Sequence, residues 1–244
     1  MDDHKQFLRE RQERIRSYKE KIPFIDKGME FLVESLQEKY SYNFSWMGLP
    51  VIQYPQDLVA LQEIIFATKP DLIIETGVAR GGSVVFYASM LELLGGNGAV
   101  IGIDIDIRVH NRRRIVEHPL SHRIRLVENS SVESETIEQV RRLAEGKQRI
   151  MVSLDSNHTH EHVLKELQIY APLVTPDCYC VVFDTVVECM PKCSYPDRLW
   201  NKGDNPMTAV QEFLQSTDTF VVDREVEQKL MITAAPNGYL ERVK

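Results

Sequence analysis

From Asp71 onward, unbroken apolar runs of strand length alternate with helical segments, and no other feature constrains the fold as strongly. LIIE precedes a helix expected over 83–94, VIGID a basic helix over 107–117, IRLVE a helix over 133–144, and IMVSLD a helix over 159–170; CYCVVFD follows. A strand with one wet face alternates polar and apolar residues, whereas one that is apolar throughout is covered on both faces, as parallel strands between two helical layers are. The order predicts a doubly wound sheet. A helix over 206–214, then TFVVD and KLMITAA, is expected to close it, with no internal repeat. Residues 57–244 are read as one Rossmann-like domain, and a chain of 244 residues that is 43% apolar can fill a core of that size.

Residues 1–56 differ. Charges alternate over residues 1–22, and Met29, Leu32, Val33 and Leu36 then recur at helical spacing. A helical N-terminal extension is expected, ending in the aromatic, Gly- and Pro-containing stretch FSWMGLPVIQYPQD as an ordered loop that either covers a ligand or packs on the sheet. The charged helix leaves two readings open, an arm for a homo-oligomer or a solvated face. With 36 acidic against 29 basic residues and a formal charge of −7, no uniformly basic surface is available for a nucleic-acid backbone. The start has no apolar core like that of a signal peptide, and no run approaches a membrane span, so a cytoplasmic protein is expected. The four cysteines, Cys178, Cys180, Cys189 and Cys193, cluster, but C-x-C within DCYCVVF lies on one strand face and lacks the turn spacing of a zinc knuckle. Reduced thiols are the better reading.

In doubly wound sheets ligands sit outside the carboxyl ends of the strands. Those ends carry Glu75, Asp104, Glu128, Asp155 and Asp184, although any one of them could simply cap the next helix. IIETGVARGGS, residues 73–83, has the order strand, glycine turn, helix start, and Asp104 ends the following strand, where a carboxylate can accept ribose hydroxyls. Both NAD and S-adenosylmethionine use such an arrangement. Ala79 stands where a dinucleotide fingerprint most often has its second glycine, and Glu75 would set an anion near any phosphate. An acid there suits the sulfonium and ammonium of S-adenosylmethionine better.

ETGVARGGS with GIDID is similar to the first two motifs of class I S-adenosylmethionine-dependent methyltransferases. Together with FSWMGLPVIQYP, LDSNHTH and VVFDT, it resembles the cephalosporin hydroxylase family, related to rhamnosyl and macrolide-sugar O-methyltransferases, over roughly residues 44–235. The resemblance implies a Rossmann-like class I methyltransferase fold with a mostly parallel seven-stranded sheet, S-adenosylmethionine in the Glu75 to Asp104 crevice, and a divalent metal near the acceptor. Gly77 would face the methionine part, Asp104 the ribose, and Ser130 or Ser131 the adenine edge. The expected cofactor set is Glu75, Gly77, Ala79, Gly81, Ser83, Asp104, Asp106, Ser130, Ser131 and Asp155.

LDSNHTHEH, residues 154–162, sets Asp155 beside His158, His160 and His162. If the fourth and fifth strands are neighbours, Asp155 and Asp184 lie about 5 Å apart, enough to share one ion, and their hard oxygens favour magnesium or manganese. The D-x-x-H motif of the related sugar methyltransferases matches Asp155 and His158, implying a metal-binding aspartate and a histidine base. They tend to have Glu-Asp where this chain has Phe183-Asp184, so one ligand is missing and His160, Glu188 or Asp106 are candidates to replace it. Otherwise His160 and His162 are expected to make structural hydrogen bonds. Residues 185–205 are too long and turn-rich for a simple connector and are a candidate acceptor lid, with Tyr195 and Trp200 offering flat faces. The expected function is metal-assisted O-methylation of a hydroxyl on a sugar or glycosylated small molecule. Its rivals are an NAD-dependent oxidoreductase, which lacks a Tyr-x-x-x-Lys here, a non-haem-iron hydroxylase, and a non-catalytic binding subunit.

Overall fold

The computed structural model describes residues 2–192 and 194–244; Cys193 lies outside them. Two helices, α1 (Asp3–Ser17) and α2 (Ile22–Gln37), lead to a hairpin of β1 (Phe44–Trp46) and β2 (Leu49–Val51), then to α3 (Pro55–Thr68). The alternating part follows as β3 (Leu72–Thr76), α4 (Gly82–Leu94), β4 (Ala99–Asp104), α5 (Val109–Val116), β5 (Ile124–Glu128), α6 (Ser134–Ala144), β6 (Ile150–Leu154), α7 (His160–Tyr170) and β7 (Tyr179–Val182). It closes with α8 (Pro206–Gln215), β8 (Phe220–Val222), α9 (Arg224–Leu230) and β9 (Tyr239–Arg242). The seven-stranded sheet has the order β5-β4-β3-β6-β7-β9-β8, with β3 to β7 parallel and β9 antiparallel to both its neighbours.

Period-two alternation divides each parallel strand between two cores. Ile73, Met151 and Val181 face one side and pack with Leu61 of α3, Phe86 of α4 and Leu230 of α9. Ile74, Val152 and Val182 face the other, against Val140 of α6, Leu167 and Tyr170 of α7 and Val210 of α8. The central strands β3, β6 and β7 are mostly apolar because both of their faces are covered, whereas β5, at the sheet edge, leaves Arg125 and Glu128 exposed.

Two segments depart from expectation. The stretch 44–51 is a hairpin within the ordered segment: Met47 and Gly48 both have left-handed φ values, 45° and 91°, the conformation that a two-residue turn between twisted strands demands. KLMITAA is not a strand. Asp223, at the end of TFVVD, accepts hydrogen bonds from the Glu225 and Val226 amides and starts α9, so Lys229 and Leu230 end a helix and the final strand is Tyr239–Arg242.

The extension is not a separate layer, since Leu32, Leu49, Val51 and Tyr54 belong to the same core cluster as the sheet. A Cβ on Gly82 would lie 2.2 Å from the Pro50 carbonyl oxygen; glycine there lets β2 seat on the start of α4. No helix among the described residues is long and apolar enough to cross a membrane.

Candidate functional site

Strands β4 and β5 lie on one side of β3 and β6 and β7 on the other, so the strand order reverses between β3 and β6. Such a switch point opens a crevice outside the carboxyl ends. Gly77 follows β3 with φ 94°, and a Cβ there would lie 1.9 Å from the Asp155 carbonyl oxygen after β6. The turn and the end of β6 pack together because residue 77 has no side chain. Asp104, at the end of β4, fixes the turn from the other side: its Oδ2 accepts the Val78 and Ala79 amides at 2.9 and 3.0 Å, and its Oδ1 accepts the Asp106 amide at 3.1 Å. Ala79 is left-handed, φ 45°, a conformation costing a non-glycine residue about 1–3 kcal/mol and held here by Asp104 and by Asn111, which donates to its carbonyl at 2.9 Å.

Beneath the turn Glu75 is 1% exposed and accepts a 3.0 Å hydrogen bond from Ser83 Oγ. Burial pushes its carboxyl from the ordinary 4.5 up to about 8, the Ser83 bond opposes that rise, and the charge of Asp104 adds to it. Asp155 is also pushed well above the usual aspartate range, first by burial, then by the neighbouring charges of Asp184 and Glu75. Acids crowded in this way lose their mutual penalty when a cation comes between them.

Strands β6 and β7 are parallel neighbours with Leu154 opposite Val182, which puts Asp155 and Asp184 at adjacent strand ends. Asp184 is left-handed, φ 53°, a conformation that Asp tolerates better than most residues. Ligand atoms of Asp155, His158 and Asp184 all lie within 4.8 Å of one another, with His158 Nε2 3.2 Å from Asp184 Oδ2. The two carboxylates suit a divalent ion of magnesium or manganese type, with the imidazole beside them.

The other two histidines point elsewhere. His160 is the first residue of α7, and its ring reaches α8, with Nδ1 2.8 Å from Thr208 Oγ1 and Nε2 3.1 Å from Glu212 Oε2. It is not brought to the Asp155 group. His162, two residues further along α7, lies 3.1 Å from Ser131 Oγ and 3.4 Å from the fully buried Glu166. Neither Glu188 nor Asp106 joins the cluster. Glu188 accepts from the Gly203 amide and Asn205 Nδ2 at 2.8 and 2.6 Å, while Asp106 is exposed and 3.9 Å from Arg108.

A cavity of about 760 Å³ joins these groups. Gly77, Ala79, Ser83, Asp104, Ser130 and Ser131 line it together with Asp155, His158, Asp184, Tyr195 and Trp200. Glu75 lies beneath the wall behind Ser83, and Gly81 packs toward Ile115. Trp200 meets the His158 ring edge-on at 5.1 Å and lies tilted against Tyr195 at 4.6 Å, so the candidate lid forms part of the wall. Two groups lay beyond the sequence argument. Gln53 donates from Nε2 to Asp155 Oδ2 at 3.0 Å, and Glu166 accepts from Ser156 Oγ at 2.7 Å. Gln53 left a trace in its motif, as a polar residue between Ile52 and Tyr54.

Residues 38–243 match the family described as Rhamnosyl O-methyltransferase/CmcI. The chain belongs to that family. It is 30% identical over 218 residues to the Rhamnosyl O-methyltransferase of Mycobacterium bovis, across 86% of this chain and 85% of the relative. Identity to the protein of the same name from Mycobacterium leprae is 29%, across 86% and 90%. Among solved structures, CmcI with Mg and S-adenosylmethionine matches with a TM-score of 0.60 at 18% identity, covering 83% of this chain and 78% of that one. The O-methyltransferase of Bacillus cereus in complex with S-adenosylhomocysteine matches with a TM-score of 0.54 at 13% identity, covering 89% and 91%. At those identities the likeness is one of fold. Within the Rhamnosyl O-methyltransferase/CmcI family this chain has Phe183 directly before Asp184, and that ring is 2% exposed in the sheet core.

Proposed function

We propose that this S-adenosylmethionine-dependent O-methyltransferase methylates a hydroxyl of a sugar or glycosylated small molecule, assisted by a magnesium or manganese ion. The observation that carries the reading is the Asp155, His158 and Asp184 group, which opens into the same cavity as the glycine turn. The name of relatives 30% identical to the chain, rhamnosyl O-methyltransferase, supports a sugar hydroxyl as acceptor. Asp155 and Asp184 would hold the ion, which when bound lowers the pKa of a coordinated hydroxyl.

The remaining roles belong to the chain itself. Glu75, in its ionised form, faces the cationic methionine half through the Ser83 side of the wall; Asp104 serves the ribose, with Asp106 beside it, and Ser130 and Ser131 serve the adenine edge. His158 takes the hydroxyl proton as the acceptor oxygen bonds to the methyl carbon and the carbon–sulfur bond breaks, leaving S-adenosylhomocysteine. The imidazolium so formed is 3.2 Å from the Asp184 carboxylate, which offsets its charge. Tyr195 and Trp200 present aromatic faces to the acceptor. A cytoplasmic setting belongs to the same reading. So does assembly through the N-terminal helices, where Phe7, Phe24 and Phe31 are exposed.

A dinucleotide fits less well, because Asp104 occupies the Val78 and Ala79 amides that a pyrophosphate would need. A non-haem-iron centre of two histidines and one carboxylate is opposed by the reverse ratio in the cluster. The test is incubation with methyl-labelled S-adenosylmethionine, a divalent ion and a panel of rhamnosides and other glycosides. Label should appear in a glycoside as a methyl ether. Absence of transfer to every glycoside, with hydride exchange from NADH instead, would reverse the assignment.

A further inference from the structure

Gln53 lies between β2 and α3, in the segment that joins the N-terminal hairpin to the sheet, and it is 5% exposed. Its Nε2 donates to Asp155 Oδ2 at 3.0 Å, while its Oε1 is buried without a partner among the described residues. A buried acceptor left unpaired costs about 1–3 kcal/mol, so an apolar side chain would serve stability better at this place. Nearby, Val51, Tyr54 and Leu58 are buried in the core. What the amide supplies and an apolar group cannot is a fixed partner for one oxygen of Asp155. That partner matters because Asp155 has two acidic neighbours, Asp184 and Glu75, and repulsion from both would otherwise turn its carboxylate away from the cluster.

The backbone carrying Gln53 is itself seated. Pro50, three residues earlier, packs its carbonyl against Gly82 at the start of α4, and Tyr54 bonds to Ser35 of α2 at 2.7 Å. The amide is therefore presented from a segment anchored on both the domain and the N-terminal helices.

We propose that Gln53 is a positioning residue for the divalent-ion site: its amide fixes the Asp155 carboxylate so that Asp155, His158 and Asp184 converge, which makes the N-terminal segment part of that site. The inference rests on the ion named in the proposed function. Orienting partners of ligating carboxylates act on ion affinity more than on folding.

The experiment measures Mn²⁺ binding to the full chain by calorimetry, for the wild type, Gln53→Met and Gln53→Asn. Met keeps the volume and removes both amide groups; Asn keeps the amide but withdraws it by one methylene. Each variant should bind Mn²⁺ about 10- to 100-fold more weakly. S-adenosylmethionine affinity, measured without metal, should stay close to that of the wild type, and the thermal midpoint of Gln53→Met should hold or rise. Wild-type Mn²⁺ affinity in both folded variants overturns the inference, and so does a parallel loss of Mn²⁺ binding, cofactor binding and thermal stability, the pattern of a merely structural residue. A wild type that binds no Mn²⁺ removes the ion from the proposed function and this inference with it.

Discussion

Glu75 and His158 are the side chains whose chemistry is most open to test. For Glu75 the folded carboxyl titrates at about 8 and the ordinary value is 4.5, so between these values the native state holds a proton that the unfolded chain releases. Stability of the cofactor-free protein should therefore fall as pH rises through that window. A cation beside the carboxyl favours its ionised form, so S-adenosylmethionine affinity should rise over the same window, with proton release on binding. Calorimetric titration at the two ends of the window, in buffers of different ionisation enthalpy, reads both quantities, and Glu75→Gln should flatten both slopes. An affinity independent of pH in the wild type would detach Glu75 from the cofactor. For His158, replacement by Ala should lower the single-turnover methyl-transfer rate by about 100-fold or more, the scale of general-base catalysis, with little change in cofactor affinity. Near-normal chemistry in that variant would move the base elsewhere.

At the scale of elements, the three histidines of LDSNHTHEH separate because α7 begins at His160. His158 stays in the loop after β6 and faces Asp184, whereas the first helical residue turns its ring toward α8. His160→Ala should cost about 1 kcal/mol of stability through the lost Thr208 and Glu212 contacts, while methyl transfer stays near the wild-type rate. Denaturant unfolding and single-turnover kinetics on one preparation measure both; a collapse of chemistry with unchanged stability would place His160 in the reaction. The same boundary shows what could be seen in advance. Strands β3, β4, β6 and β7 were legible because strands covered on both faces are mostly apolar, and the ends of β6 and β7 then located Asp155 and Asp184 as neighbours. The antiparallel β9 was hidden: Tyr-Leu-Glu-Arg offers no such run, and Arg242 ends it by donating to backbone carbonyls at Pro172 and Val174. The Met47-Gly48 turn was hidden too, lacking the Asn-Gly or Asp-Gly pair that usually announces a hairpin.

Across the whole molecule, the site is assembled from parts far apart in the chain, and that distance decides what the sequence could disclose. Gln53 meets Asp155 across 102 residues, and Asp57 of α3 holds the C-terminal loop through Thr233, Ala234 and Tyr239. Neither pairing has a local signature. The absence of an acid at Phe183 was visible, but which group stands with the two aspartates depends on how the loops after β6 and β7 meet, and there the structure brings in His158. The central claim is that methyl transfer depends on a divalent ion at this meeting point. Its most direct test is single-turnover methyl transfer to a glycoside acceptor by protein stripped of metal with a chelator, its metal content checked by elemental analysis, before and after addition of Mg²⁺ or Mn²⁺. The stripped protein should still bind S-adenosylmethionine but transfer no methyl group, and either ion should restore transfer in the wild type but not in Asp184→Asn. Full transfer in verified metal-free buffer would contradict that claim.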